Sequence, residues 1–473
     1  MMQESEVAKK AGVGANIDLA GPDPTDAASW CKLGLACTNR GDSQGAIHAF
    51  SRSLDMEPEN LEAIYCLGLS FLWTQQVDVA VRYLEKAAEM APTNAAVQCE
   101  LGVAYARLKN LDLAIAQYQK SILLDPKYAN AYCNLGVAFY RMRKLDQACH
   151  CYEQALRLQP DFAEARCNMG VARLTMGEWA LGWPDYEFRL YVNGKTQQAF
   201  SQPLWDGSPL DGRTILLHPE QGIGDTLQFL RYVPLVKMRG GKVLFVASPR
   251  LAPLVLSCQG IDEVVDAKGP SPSFDVHAPL LSLPGIFGTL PSNVPNHVPY
   301  LFCDTVRSSV WNSVLGGGCK VGIVWHGSTN EKSLSIRNVP LREFEPLFRL
   351  SQVKFFSLQK HEGAEQLQQF SGYENVINLG PLMDEAGIAF LDTAAIMKCL
   401  DLVISIDSAP AHLAGALGVP VWTVLNFNAD WRWLLHRSDT PWYPTMRLFR
   451  QPAPGEWRSV FENIANELCL LTS

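Results

Sequence analysis

A period of 34 residues governs the first third of this chain. Gly34, Gly68, Gly102, Gly136 and Gly170 follow one another at that spacing, preceded by Leu33, Leu67, Leu101, Leu135 and Met169. Ala46, Ala80, Ala114 and Ala148 recur further along each unit, followed by a large residue at Phe50, Leu84, Tyr118 and Tyr152. Pro58, Pro92, Pro126 and Pro160 close the units. A repeat of this length implies a solenoid of stacked supersecondary units. Here the unit is a helix pair: glycine and alanine let the two helices approach, and proline ends the pair. One pair cannot bury its apolar face alone, so the pairs stack into an extended array. Residues 1–26, polar and rich in Gly, Ala and Asp, read as a mobile tail.

These positions resemble the tetratricopeptide repeat over 27–162, with 163–190 as a fifth, altered unit. The resemblance implies a groove for a protein partner; a spacer or dimerisation arm is the plainer alternative. The fifth unit carries Trp179, Trp183, Tyr186 and Phe188. So much aromatic surface at the end of a solenoid is expected to dock on the next domain. Residues 191–212 are polar, contain Gly and Pro, lack a helical period and read as a linker.

A chain of 473 residues is expected to hold two or three domains. Its net charge of −8 argues against a nucleic-acid backbone as partner. The 13 cysteines are scattered, mostly inside helical patterns, which fits a reducing cytoplasmic compartment. Cys149-His150-Cys151 is the tightest cluster, but successive helix positions do not converge on one metal. No signal-peptide pattern and no apolar run of membrane-spanning length is visible.

Beyond 212, apolar runs alternate with helical patterns. Strands are predicted at 214–218, 243–247, 264–265 and 274–278, then at 320–325, 354–358, near 375–378, at 402–406 and at 419–425, with a last helix near 456–471. Alternation of this kind means parallel sheets with ligands at the carboxyl ends of the strands. Two such runs read as two Rossmann-like lobes, 213–315 and 316–473, with a cleft between them. The stretch 401–425 anchors the second lobe. A buried strand ends in Asp407-Ser408 at the mouth of a helix that carries His412 in its first turn. A helix N-terminus offers free N–H groups and a positive dipole end to a diphosphate, although an ordinary capped turn explains the same residues.

These motifs resemble a GT-B glycosyltransferase, and more narrowly the heptosyltransferase-like glycosyltransferase family 9. The resemblance rests on Gly224-Asp225 after the first strand, on residues 407–414 in the second lobe and on 415–420 after them. Joined to the repeats, residues 218–235 and 430–451 look like bacterial repeat-fused glycosyltransferases. The resemblance implies that Asp225 is the catalytic base that takes the acceptor proton; a helix-capping role is the alternative, and Glu220 is the second candidate base. Gln221, Gly222 and Gly224 would shape the acceptor-side loop. Asp407, Ser408, Ala409 and His412 would hold the donor, with His326, Gly327 and Ser328 after the lobe's first strand and Gln359 and Lys360 after its second. Either Arg337 or Lys332 would neutralise the leaving diphosphate. Trp431, Arg432, Trp433, Trp442 and Tyr443 form an aromatic cluster that either stacks on a ligand or is buried between the lobes. The last helix is expected to cross back to the first lobe, as GT-B chains do.

The function implied is an inverting, metal-independent transferase of hexosyl or heptosyl type. It would move a sugar from a nucleotide-sugar donor to a protein or surface-glycan acceptor recruited by the repeats. No metal or other cofactor is expected. The alternative is a non-catalytic repeat scaffold with a degenerate transferase half.

Overall fold

The computed structural model describes residues 24–194, 200–270, 272–327, 337–384 and 388–472. It divides into two compact units, Met1–Ala172 with Asp185–Lys195, and Arg173–Pro184 with Thr196–Ser473.

In the first unit, helix pairs follow the 34-residue register: Ala27–Asn39 with Ser43–Met56, Leu61–Trp73 with Val77–Met90, Ala95–Arg107 with Leu111–Leu124, and Ala129–Arg141 with Leu145–Leu158. Short polar side chains start several of them. Asp26, Asp42, Asn60 and Asn110 each accept from the backbone N–H three residues on. The recurrent glycine is explained by its neighbour. A Cβ added at Gly34, Gly102 or Gly136 would lie 2.5, 2.6 or 2.5 Å from a ring carbon of Phe50, Tyr118 or Tyr152. At Gly68 it would lie 2.9 Å from Leu84 Cγ. Each large residue is buried in the space its glycine leaves, so the two positions are one packing device. Ser53 and Ser121 add a bond across their pairs, donating to the carbonyls of Ala27 at 2.8 Å and Ala95 at 2.7 Å.

The second unit contains two wholly parallel sheets. The first has the order β3-β2-β1-β4, with β1 at Thr214–His218, β2 at Lys242–Val246, β3 at Glu263–Val265 and β4 at Val276–Pro279. The second has the order β10-β9-β8-β5-β6-β7. Its strands are β5 Cys319–Val324, β6 Val353–Ser357, β7 Val376–Asn378, β8 Leu402–Ile406, β9 Val421–Leu425 and β10 Met446–Arg450. Counted within its own sheet, the second lobe runs 3-2-1-4-5-6, the doubly wound order, and the first runs 3-2-1-4. The chain reverses its winding between β1 and β4 in one sheet and between β5 and β8 in the other. In such sheets ligands bind outside the carboxyl ends of the strands at that reversal.

Several expected boundaries differ from the structure. Residues 200–212 belong to the first sheet's edge and are not a free linker. Trp205 and Leu210 are buried, Leu204 bridges to His277, and Trp205 N donates to the His277 carbonyl at 2.8 Å. The helix Thr305–Leu315 packs on Leu391–Met397 of the second lobe, with Arg307 and Trp311 both donating to Asp392. The chain therefore enters that lobe before residue 316. The last helix, Arg458–Thr472, sends Val460, Phe461, Ile464 and Leu468 into the second sheet's own core beside Trp325, Phe344 and Phe348. It does not replace a face of the first lobe, because its apolar stripe is used at home. Strand β10 was not anticipated, since Thr445, Arg447 and Arg450 break up its apolar run.

The aromatic end of the repeats divides between the units, so the solenoid does not extend as one body to residue 190. Gly170 packs against the backbone of Tyr186, and Arg166 lies over the Phe188 ring at 4.7 Å. The second unit takes residues 173–184. There Trp179 stacks on Trp442 at 5.1 Å and Trp183 meets Trp431 edge-on at 5.3 Å. Trp183 Nε1 donates to the Thr289 carbonyl at 2.7 Å. Among the described residues no helix is long and apolar enough to cross a membrane.

Candidate functional site

Both winding reversals carry the residues singled out in the sequence. After β1 the chain turns through Glu220, Gln221 and Gly222 into the helix Ile223–Phe229. Gly222 holds the cap position with extended backbone, and Asp225 is the third helical residue, so Asp225 is not the cap. Glu220 Oε2 accepts from the Leu281 N–H at 3.2 Å, which ties the loop after β1 to the loop after β4. Gln221 and Gly222 are exposed. Gly224 meets the other lobe: a Cβ there would lie 3.1 Å from His412 Cδ2 and 3.5 Å from Ala409 Cα.

In the second lobe, β8 is buried along its whole length and ends just before Asp407. The helix Ala409–Ala416 follows, with Ser408 at its cap position and Pro410 in its first turn. The Ser408 hydroxyl does not cap. It turns back to the Ile406 carbonyl and to Ser405 Oγ, both at 3.3 Å, and the Ser408 side chain leaves the start of this helix uncapped. The helices Ile223–Phe229 and Ala409–Ala416 pack directly on each other and so bring the two reversals face to face.

A cluster of charges surrounds that junction. Arg432, 4% exposed, donates through Nη2 to Asp225 Oδ1, through Nη1 to Asp430 Oδ1 at 2.7 Å and through Nε to Gln228 Oε1 at 2.8 Å. Arg337 lies between Asp407, at 3.7 Å, and Asp430, at 3.8 Å, and keeps about a third of its side chain exposed (32%). Burial raises the Asp407 carboxyl above the ordinary carboxylate range, against the pull of Arg337. Burial pushes Asp430 the same way, but Arg432 and Arg337 outweigh it and hold that carboxyl low. His412 is held well below its ordinary 6.5 by burial and by Arg432 and Arg231. It is therefore a neutral ring. Its Nδ1 pairs with the Tyr443 hydroxyl at 3.0 Å, its Nε2 faces Asp407 at 3.8 Å, and Trp433 stacks on it at 5.4 Å. Behind it Arg231, also buried, donates to the Tyr300 hydroxyl at 3.1 Å and to the Trp442 carbonyl, and lies over the Tyr443 ring at 4.4 Å.

The remaining expected residues divide between the cluster and supporting work. His326 and Gly327 follow β5, and Asn338 fixes both: its amide nitrogen meets His326 Nε2 at 3.0 Å and its oxygen accepts from the Gly327 N–H at 2.8 Å. Gln359 is a clamp, accepting from the His326 N–H at 3.1 Å and donating to the Glu362 carbonyl at 2.8 Å. Lys360 donates to the carbonyls of Met383, at 2.5 Å, and Asp384, at 3.0 Å, so its charge holds a loop. Ser328 and Lys332 lie outside the described residues. The sequence reading does not single out Asp430, Gln228 or Asn338, and it takes Arg432 only as a member of the aromatic cluster. The one available signal was the position of 430–433 just beyond the carboxyl end of β9.

Residues 349–428 match the glycosyltransferase family 9 (heptosyltransferase) profile, a segment that includes Asp407–His412 and stops short of Arg432. Residues 27–60, 104–142 and 129–162 match tetratricopeptide-repeat profiles. The chain thus joins a tetratricopeptide-repeat region to a segment similar to glycosyltransferase family 9. Protein FlbA of Caulobacter vibrioides is 26% identical over 319 residues, which is 62% of this chain and 53% of that one. The chain thus spans about half the length of that curated relative. The BBSome complex member bbs-4 of Caenorhabditis elegans is 46% identical over 52 residues, 11% of each protein. Among solved structures, a MamA protein covers 35% of this chain and 90% of its own at 27% identity and a TM-score of 0.31. A thermophilic TPR protein of Thermus thermophilus covers 36% and 92% at 23% identity and a TM-score of 0.33.

Proposed function

We propose that this protein is an inverting glycosyltransferase that needs no metal and moves a sugar from a nucleotide-sugar to a hydroxyl of a protein or surface-glycan acceptor. The reading rests on one observation above the others. The start of the helix Ala409–Ala416, without a side-chain cap, and the half-buried guanidinium of Arg337 stand at the reversal of one sheet, and a carboxylate, Asp225, stands at the reversal of the other. The helix start and Arg337 would carry the donor diphosphate, with the amides near Ser408 and Ala409 oriented toward it. Three arginines, Arg231, Arg337 and Arg432, stand among the carboxyl groups Asp225, Asp407 and Asp430, so a ligand's charge would meet cations on the donor side of the junction.

In the reaction the acceptor hydroxyl attacks the anomeric carbon from the face opposite the diphosphate. Asp225 takes its proton as the new bond forms, and the nucleoside diphosphate leaves with the electron pair of the broken bond. His412 keeps the junction packed and does not carry phosphate charge. The repeats would recruit a protein partner or the acceptor itself.

The test is calorimetric titration of the full chain with a panel of nucleoside diphosphates and nucleotide-sugars, followed by product analysis with Asp225→Asn beside the wild type. Binding of one nucleotide by both proteins, with turnover by the wild type alone, supports the reading. A chain that binds no member of the panel is instead a scaffold whose repeats are the working part.

A further inference from the structure

We infer that Arg432 is a positioning residue for the base, acting across the junction of the two lobes. The inference rests on the transferase reading above and adds to it a residue outside the segment that resembles family 9. Asp225 belongs to the first lobe and Arg432 to the second, and each nitrogen of the guanidinium has a partner. Nη2 bonds Asp225, Nη1 bonds Asp430 at 2.7 Å, and Nε bonds Gln228 at 2.8 Å. The guanidinium carbon also lies 4.5 Å from the Trp431 ring and 5.5 Å from the Phe229 ring. A planar fork bonded at each nitrogen and packed against two rings has one orientation, so the carboxylate it binds inherits that orientation.

The division of labour between the two carboxylates follows from the backbone. Asp430 also accepts from the Arg432 N–H at 3.1 Å, which makes it a local brace for the turn Trp431–Trp433. Asp225 has no such tie to its partner's backbone. It sits in the first turn of its helix with its other oxygen toward the exposed Gly222. One oxygen of Asp225 is therefore fixed by Arg432, and the other faces the loop where an acceptor would enter. Because the pair spans two lobes, the base is oriented only while the lobes are packed as in this structure. The seam is reinforced by Arg231, which bonds Trp442 and Tyr300 behind it.

The experiment compares Arg432→Gln, Arg432→Lys, Asp225→Asn and the Asp225→Asn/Arg432→Gln double variant in the full chain. The readouts are kcat and KM with the donor identified by the panel, and Kd for its nucleoside diphosphate. Arg432→Gln is expected to lower kcat by roughly 10- to 100-fold, on the order of one positioning hydrogen bond to a charged group, with the diphosphate Kd within about threefold of wild type. Arg432→Lys should recover part of kcat, and the double variant should be no slower than Asp225→Asn. A double variant slower than Asp225→Asn by the full Arg432→Gln factor overturns the assignment. So does a diphosphate Kd that weakens in parallel with kcat, which would place Arg432 on the donor instead. A wild type that binds and turns over no donor sinks the transferase reading and this role with it, an outcome distinct from either.

Discussion

Arg337 is the residue whose removal has the most definite consequence. It is a partly exposed cation beside the uncapped helix start, and its two carboxylate neighbours lie at 3.7 and 3.8 Å, too far for hydrogen bonds. Its Nη1 reaches the Asp407 carbonyl only at 3.5 Å. The fork is thus available to a diphosphate. A hydrogen bond to a charged group contributes about 1.5–3 kcal/mol. Arg337→Ala removes the cation and also lets the Asp407 carboxyl rise further, because Arg337 is the first influence opposing burial there. The expected loss lies inside that range, at about 2 kcal/mol, a weakening of roughly 30-fold in nucleoside diphosphate Kd. Arg337→Lys should fall between the two, since it keeps the charge and loses the bidentate geometry. Calorimetry at two salt concentrations measures this, with the nucleoside lacking phosphates as control. A diphosphate Kd unchanged within about threefold, or an equal loss for the nucleoside, would refute the assignment of Arg337 to the phosphates.

Two further outcomes follow from the packing. Burial holds His412 well below its ordinary 6.5, so the unfolded chain takes up a proton there that the folded chain refuses. Stability then falls as pH drops below about 6.5 toward the lowered folded value. His412→Gln should flatten the melting temperature against pH over that window, only in part because His277 is also lowered by burial; identical slopes for variant and wild type would mean that His412 is already charged when folded. Trp179 is fully buried against Trp442, Trp183 and Trp431. Trp179→Ala should cost about 3–5 kcal/mol of the second unit's stability, read by denaturant unfolding, and a loss under about 1 kcal/mol would mean that this helix is not part of that unit's core.

The repeats were readable because their physics is local. The glycine at one position and the large residue sixteen further on appear in each of four units, and the structure shows why: there is no room for a Cβ against the large side chain. The strands β1, β5, β6 and β8 were readable for a similar reason, as short buried runs ended by polar turns. Expectations failed where burial depended on a distant partner. Residues 200–212 look polar and open, yet Trp205 and Leu210 are covered by the first lobe. Lys360 and Gln359 stand at a strand's carboxyl end, where a ligand contact is expected, yet their groups are spent on backbone carbonyls and on His326. Ser408 stands where a cap belongs and bonds backward instead.

The sequence by itself determined that a helical solenoid precedes two parallel α/β lobes, and it put Asp225 and 407–412 beyond the carboxyl ends of two buried strands. Periodicity and strand alternation are properties of neighbouring residues, so they survive in one dimension. Only the tertiary structure decided that Arg432 grips Asp225 from 207 residues away, that burial lowers the His412 ring, and that the Asp407 and Asp430 carboxyls are shifted in opposite directions. Those are consequences of burial and of charges brought together across the junction. A carboxylate's charge depends on which cations and how much water surround it, and the chain order states neither.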